Sequence, residues 1–591
     1  MESLWEQTWE KPDFPSQDGD MNTDVLIIGG GMAGILCAHQ LHCAGVPYVL
    51  AEAETICSGI TKNTTAKITS QHGLIYDKLI SRFGVEQAKQ YLDANEAALQ
   101  TYRELCRNID CGFEEKAAYT YSLDDRRKIE RELEALDKLC FPAEFVDKLP
   151  LPFHVAGAVR FPDQAQFHPL KFVSGIAKGL HIYEHTRVRE LMGTTAVTDH
   201  GRIRAKKIIV TTHFPFLNKH GSYFLKLYQH RSYVIALQNA PYVDGMYLGE
   251  EQAGMSFRNY KNLLLVGGGD HRTGKKGGGW RELRDFVRRH YPQAEEQYHW
   301  ATQDCMSLDS VPYIGTYSAS TTDLYVATGF NKWGMTTSMV SAMILSDLVQ
   351  GKENPYEKVF SPSRSILHPQ LAVNGFETVV SLLTPTTKRC PHLGCALKWN
   401  PQEHTWDCPC HGSRFDNNGN LLHVHDGFGH AVSCKYNVDG NHVNRLENAT
   451  KLQDNVVQLL KDPVVQAENT PWTSKISPKG AGNTEINTIA AECMMGNRSL
   501  KAECTSVSGY AYWAQNVKVK KGITYTASMY VKASVSETAE DGGAILRVRY
   551  MDKDGVQQLK DSEIIKKTTE GFVRLTNTFT VPEDSRDTVV K

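Results

Sequence analysis

Four side chains able to bind a transition metal fall in two short groups. Cys390 and His392 form C-x-H, Cys408 and His411 form C-x-x-H, and residues 393–407 lie between them. Two thiolates on one iron and two imidazoles on the other would hold a [2Fe–2S] cluster. Its potential rises because neutral imidazoles remove negative charge from their iron. The same four groups would also suit tetrahedral zinc. Two details favour the cluster: each pair combines one thiol with one imidazole, and each half carries a further cysteine, Cys395 or Cys410.

Near the other end of the chain, Gly29, Gly31 and Gly34 make G-x-G-x-x-G. Gly29 permits a tight turn, Gly31 lets the backbone approach a pyrophosphate at a helix N-terminus, and Gly34 lets helix and strand pack closely. The setting gives the motif its meaning. Residues 25–28 read as a buried strand, 35–44 as a helix and 46–51 as a second strand ending at Glu52, an acid placed for a ribose hydroxyl. These signals do not distinguish FAD from NAD. A second glycine run, Gly267-Gly268-Gly269 before Asp270 and Arg272, lacks the third glycine and is followed by a basic, glycine-rich stretch. It reads as a turn, which leaves no separate NAD site.

The cysteine–histidine groups closely resemble those of Rieske proteins of the respiratory cytochrome complexes. That resemblance implies Cys390, His392, Cys408 and His411 as ligands, with a Cys395–Cys410 disulfide beside the cluster. Such a bridge is at odds with a reducing cytosol. The first 360 residues resemble FAD-dependent oxidoreductases of the D-amino-acid oxidase and glycine oxidase type, which implies FAD. The loop from Ser58 through Thr61 to Lys67 falls where that family runs polar residues beside the pyrophosphate and flavin. Residues 309–315 and 324–336 match its closing pattern, a strand ending at Gly329 and a helix beginning near Gly334, flanked by Trp333 and Met335. In the family this helix N-terminus faces the flavin C2 carbonyl, where reduced flavin holds negative charge. Val188 falls where the family contacts adenine. Lys67 and Arg231 are the candidates for catalysis, and His154, His168 and His213 are possible substrate-facing groups. The plain alternatives are a solvated lysine and satisfied core or surface residues.

Helical periodicity runs from Val85 to Cys106 and from Asp124 to Leu139. Residues 231–237 and 246–248 read as strands of a substrate-side sheet, and 205–212 as a strand returning to the cofactor domain. Cys37, Cys43 and Cys106 fall in helical patterns and read as buried thiols. The expected fold is multidomain. An N-terminal extension (1–22) precedes an α/β Rossmann-type FAD domain with an interleaved α+β substrate domain (23–360). The cofactor-binding parts lie at about 23–80, 150–215 and 300–360. A small all-β Rieske domain follows (365–425), with abbreviated base strands and no Gly-Pro-x covering loop. Then come a linker (426–470) and a jelly-roll-like β-sandwich, truncated at its end (471–591). Asp426 to Gly429 and Asn437 to Asn441 resemble tyrosine–aspartate repeats of bacterial surface proteins, and the sandwich resembles carbohydrate-binding modules. Whether this region is a genuine fusion or an unrelated joined fragment stays open.

With 65 basic and 67 acidic side chains in 591 residues, nothing favours nucleic acid as a partner. Residues 1–20 lack the basic and apolar regions of a signal peptide, and no run of eighteen apolar residues occurs, so no integral membrane segment is expected and the cytoplasm is the default. The expectation is a bacterial-type FAD enzyme. It would oxidise a small-molecule donor, an amine or amino acid by family analogy, and pass electrons through its cluster to an external acceptor, a protein or quinone-like molecule. The alternatives are a flavo-iron–sulfur carrier reduced by a partner protein and a surface carbohydrate-binding protein. Donor, acceptor and oligomeric state are not legible.

Overall fold

The computed structural model describes residues 3–423 except 218–220, 252–253, 387, 391–394, 411 and 417–420. Beyond these it describes 436–439, 442–445, 472–476, 482–487, 499–504, 510–519, 521–522, 524–536, 543–554, 556–569, 573–583 and 589–590. His392, His411 and Asp426 to Gly429 therefore lie outside the described residues.

The apolar run Val25–Ile28 is buried throughout, as a parallel strand covered on both faces must be. It sits inside a six-stranded sheet ordered Tyr313–Thr316, Leu324–Thr328, Lys207–Val210, Val25–Ile28, Tyr48–Ala51, Ile182–Tyr183. Every pairing is parallel except the first. Helices Met32–Cys43 and Gly334–Val349 pack against each other beside this sheet, which brings the first and last thirds of the domain together. The first helix starts at Met32, before the expected Ile35, because the turn residues themselves enter it. Cys37 and Cys106 are buried, but Cys43, on the last turn, is exposed.

A nine-stranded mixed sheet forms the second layer. It runs from Glu295–Ser307 through Leu227–Gln238, Leu263–Arg272, Ser256–Tyr260, Met246–Gly249, Glu114–Ser122 and Gly157–Gln166 to Lys67–Ile68, with Glu144–Val146 added on Gly157–Gln166. The glycine run expected to be a turn is instead part of the strand Leu263–Arg272. Its glycines answer to packing: a Cβ on Gly269 would lie 2.6 Å from the Gly279 nitrogen. The long helix spans Tyr76–Cys106, with a kink at Gly84 (φ 81°) that interrupts the periodicity and explains why only its second part was legible. The charged helix is Arg126–Lys138, capped by the Asp125 side chain accepting from the Lys128 N–H.

The N-terminal stretch is no loose extension. Leu4 and Trp5 are buried in the main core, and Met21–Asn22 pairs with Gly201–Arg204. After the oxidoreductase region comes a helix, Pro369–Leu383, in the stretch read as abbreviated strands. Four short antiparallel strands follow, Lys398–Asn400, Thr405–Asp407, Arg414–Phe415 and Leu421–His423. Further on, the described residues form strand pairs, among them Thr524–Val531 with Val573–Thr580 and Arg547–Met551 with Gln557–Asp561. Val519, Val548, Phe579 and Val581 make a small buried cluster there. Among the described residues no helix is long and apolar enough to cross a membrane.

Candidate active site and metal centre

The two sheets enclose one large cavity of about 820 Å³. Gly29, Gly31, Glu52, Ser58, Thr61, Val188, Trp333, Gly334, Met335 and Lys67 all line it. Gly34 and Gly329 act behind the wall. A Cβ on Gly34 would overlap the Gly29 carbonyl oxygen, so the helix can approach the strand only at glycine. Gly29 has φ +108°, and a Cβ there would meet the Thr211 carbonyl oxygen at 2.9 Å. Gly329 (φ 71°) ends the strand, and its carbonyl accepts from the Asn331 amide at 2.7 Å.

Two helix N-termini open onto this cavity. The helix Met32–Cys43 is capped by Gly31 and the helix Gly334–Val349 by Trp333, and neither has a side-chain cap. At the first, the Met32 N–H already donates to Thr61 Oγ1 at 3.1 Å, and the remaining free N–H groups of the two first turns can meet anionic oxygens. A Cβ on Gly31 would find only Thr61 Oγ1, at 3.6 Å, and one on Gly334 would find nothing within 4 Å. Open backbone at both helix starts fits a pyrophosphate at one and an anionic flavin ring at the other. Glu52 accepts from the Gly30 N–H at 2.6 Å and the Glu54 N–H at 2.9 Å, which fixes its carboxylate at the strand end. Burial raises its pKa against those hydrogen bonds.

Beyond the glycines the cavity holds Lys67 and also His72 and Asp304, which the sequence did not single out. His72 stacks on Trp333 with ring centroids 4.8 Å apart and hydrogen-bonds Tyr91 Oη at 2.6 Å. Burial lowers its pKa to about 3, so it is neutral. Asp304, whose pKa burial raises to about 6, accepts from Ser232 at 3.2 Å, and Lys332 pairs with Asp270. Lys67 Nζ donates to the Tyr247 carbonyl at 3.4 Å. Burial, aided by the charge of Arg258, lowers its pKa to about 7. Ser310 also lines the cavity; next to it, Asp309 is held by Arg364 at 2.8 Å, and Arg364 lies 3.9 Å from the centre of the Tyr313 ring.

Of the remaining sequence candidates, His154, His168 and Arg231 do not line the cavity. His168 caps the helix Pro169–Ala177 and touches Thr8 Oγ1 at 2.9 Å. His213 lines the cavity. Arg231 does not line it: its Nε donates to Glu403 Oε1 at 2.9 Å, across the boundary to the metal-binding region.

In that region, backbone hydrogen bonds fix the positions of the cysteines. The Cys390 N–H donates to the Cys395 carbonyl at 2.7 Å, and the Cys408 N–H to the Ser413 carbonyl at 2.8 Å. Cys390 and Cys408 are buried, and Cys395 and Cys410 are joined by a disulfide that ties one cysteine pair to the other. The Cys408 sulfur lies within 4.8 Å of those of Cys395 and Cys410. Two buried thiols, with a disulfide between their neighbouring cysteines, fit a cluster held between the two cysteine pairs.

Fold and sites together define a flavin-dependent oxidoreductase joined to an iron–sulfur domain. Residues 24–348 match the family FAD dependent oxidoreductase (DAO), and residues 382–427 match the Rieske [2Fe-2S] domain. The chain belongs to the DAO family of FAD-dependent oxidoreductases and carries a Rieske domain, so its cofactors are FAD and a [2Fe–2S] cluster. It is 35% identical to YhfW of Bacillus subtilis (strain 168), a protein named for a Rieske 2Fe-2S iron–sulfur centre. That match covers 71% of this chain and 95% of the relative. The cytochrome b6-f complex iron-sulfur subunit 2 of Trichormus variabilis is 53% identical over 32 residues, which are 5% of this chain and 18% of that subunit. The glycine oxidase of Geobacillus kaustophilus shares the fold, with a TM-score of 0.50 at 21% identity over 58% of this chain and 100% of that one.

Proposed function

We propose that this oxidoreductase takes electrons from a small amine or amino acid in the cavity and hands them singly, through its Rieske domain, to an external one-electron acceptor, a protein or a quinone-like molecule. When bound, the flavin supplies the two-electron oxidation and the cluster the one-electron outlet. The chain's own residues supply the rest. The two helix starts bind and orient the dinucleotide. Lys67, its Nζ lowered toward neutrality, takes a proton from an ammonium donor. His72, neutral and stacked on Trp333, holds the loop before the second helix in place.

The observation that carries this reading is the joining of the two redox regions. Arg231 and Glu403 form an ion pair with side chains 3% and 10% exposed, so the Rieske domain is seated on the oxidoreductase by buried charge. The test is donor-driven bleaching of the flavin, followed anaerobically, in wild type and in His411→Ala. The variant should lose the Rieske signal in electron paramagnetic resonance, keep flavin reduction, and pass electrons to a one-electron acceptor far more slowly. Equal onward transfer in the two proteins overturns the reading, as does zinc in place of iron in the purified protein.

A further inference from the structure

The strand pair Leu227–Gln238 and Glu295–Ser307 separates the flavin cavity from the cluster loops. On its cavity side, Thr302, Asp304 and Met306 line the wall. On its other side, Gln303 Nε2 donates to the Gly412 carbonyl at 2.9 Å, and Gly412 follows the ligand His411 in sequence. Gln229 is pressed against the same glycine: a Cβ on Gly412 would come within 2.9 Å of Gln229 Cβ and 2.7 Å of Gln303 Nε2. Both glutamines are buried, 2% and 0% exposed. Gln229 is in register with Cys305, and Cys305 lines the cavity, as does His213, which bonds the Gln303 backbone. A further face of the same contact comes from the glycine-rich stretch after Arg272. A Cβ on Gly274 would lie 2.7 Å from Pro409, and one on Gly279 would lie 2.6 Å from Gln402.

We propose that Gln303, through its hydrogen bond to the Gly412 carbonyl, and Gln229, through its packing on the same glycine, are the conduit by which electrons cross from the flavin cavity to the cluster. Electron tunnelling falls off steeply with distance and more steeply across gaps than through bonds, and here a continuous bonded and close-packed route crosses a wall one sheet layer thick. In each crossing the reduced flavin loses one electron and the cluster gains it. A one-electron acceptor then reoxidises the cluster and a second crossing follows, while the donor's protons leave to solvent. This rests on the proposed flavin-to-cluster reading and adds the residues through which it occurs.

The test uses the full-length holoprotein. Flavin is photoreduced anaerobically with EDTA as the electron source, and reduction of the cluster is followed by its absorbance and by freeze-quenched electron paramagnetic resonance. Gln303→Leu keeps the volume and removes the hydrogen bond, and Gln229→Ala removes the Cγ that packs on Gly412. Both should bind flavin and cluster at wild-type levels, with unchanged midpoint potentials, and show cluster reduction slowed several-fold. If wild-type flavin does not reduce the cluster at all, the functional reading itself falls. If wild type transfers electrons and both variants match it, the conduit is wrong and the reading stands. A slowing fully accounted for by a shifted cluster potential also overturns the conduit, since it assigns the glutamines to tuning the cluster.

Discussion

At Gly31 the backbone faces the cavity with open space beyond Thr61. A branched side chain there would occupy the room left for a pyrophosphate, so Gly31→Val should purify without flavin absorbance while its Rieske signal remains. Full flavin occupancy in that variant would remove the pyrophosphate from this helix start. Lys67 makes a second claim at the scale of one atom. Its amine titrates near 7 in the fold against a usual value of 10.5. Between those values the unfolded chain holds more protons, so this residue makes stability rise with pH across that window. Donor-driven flavin reduction should rise through an inflection near pH 7 as Nζ becomes neutral, and Lys67→Met should be slow with no such inflection. An inflection that persists in the variant assigns the titration to another group, Asp304 near 6 being the next to examine.

The elements explain why some of this was legible and some was not. The glycine fingerprint and the paired cysteines could be read because their chemistry is local, completed within a strand, a turn and the start of a helix. The docking of the Rieske domain is not local. Arg231 and Glu403 are 172 residues apart in sequence, and nothing near Arg231 reveals that its partner is a carboxylate in another domain. The run Gly267–Gly269 looked like a turn because what crowds it, Ser256, Leu283 and Gly279, lies outside the run, and the glycines after Arg272 are hemmed in by Pro409 and Gln402 of the Rieske region. Glu403 also receives Arg414 Nη2 at 2.6 Å, and the Tyr233 hydroxyl donates to it at 3.2 Å. Burial alone would raise its pKa, but Arg231 and Arg414 hold it at about 2. Its contribution to stability is complete above the ordinary carboxylate value of 4.5 and is lost as pH falls from there through about 2. Glu403→Gln leaves the Arg231 guanidinium buried without its counter-charge, while Arg414 keeps Asp407 at 3.2 Å. It should cost about 3–5 kcal/mol in chemical denaturation and expose the 384–398 segment to protease. A loss within the error of the denaturation curve would make the pair incidental to docking.

For the whole molecule, both matched families end by residue 427, and the relative YhfW is covered to 95% by 71% of this chain. The strand pairs beyond that point belong to neither family. Ending the chain after about residue 425 should leave flavin absorbance and the Rieske resonance intact. Loss of the resonance alone would show that residues 426–440 shield the cluster in place of the covering loop that the sequence lacks.

Trp5 sits at the floor of the oxidoreductase. Its indole N–H bonds the Thr64 carbonyl at 2.7 Å, and its ring meets His168, Tyr260 and Trp300 edge-on at 5.0, 4.9 and 6.5 Å. During synthesis this tryptophan emerges long before most of its neighbours exist, although domains ordinarily fold as their N-terminal parts appear. It must wait in the nascent chain until Trp300 has left the ribosome. Chains stalled before that point should therefore leave Leu4 and Trp5 exposed to chaperones, and those released after the helix Gly334–Val349 should not.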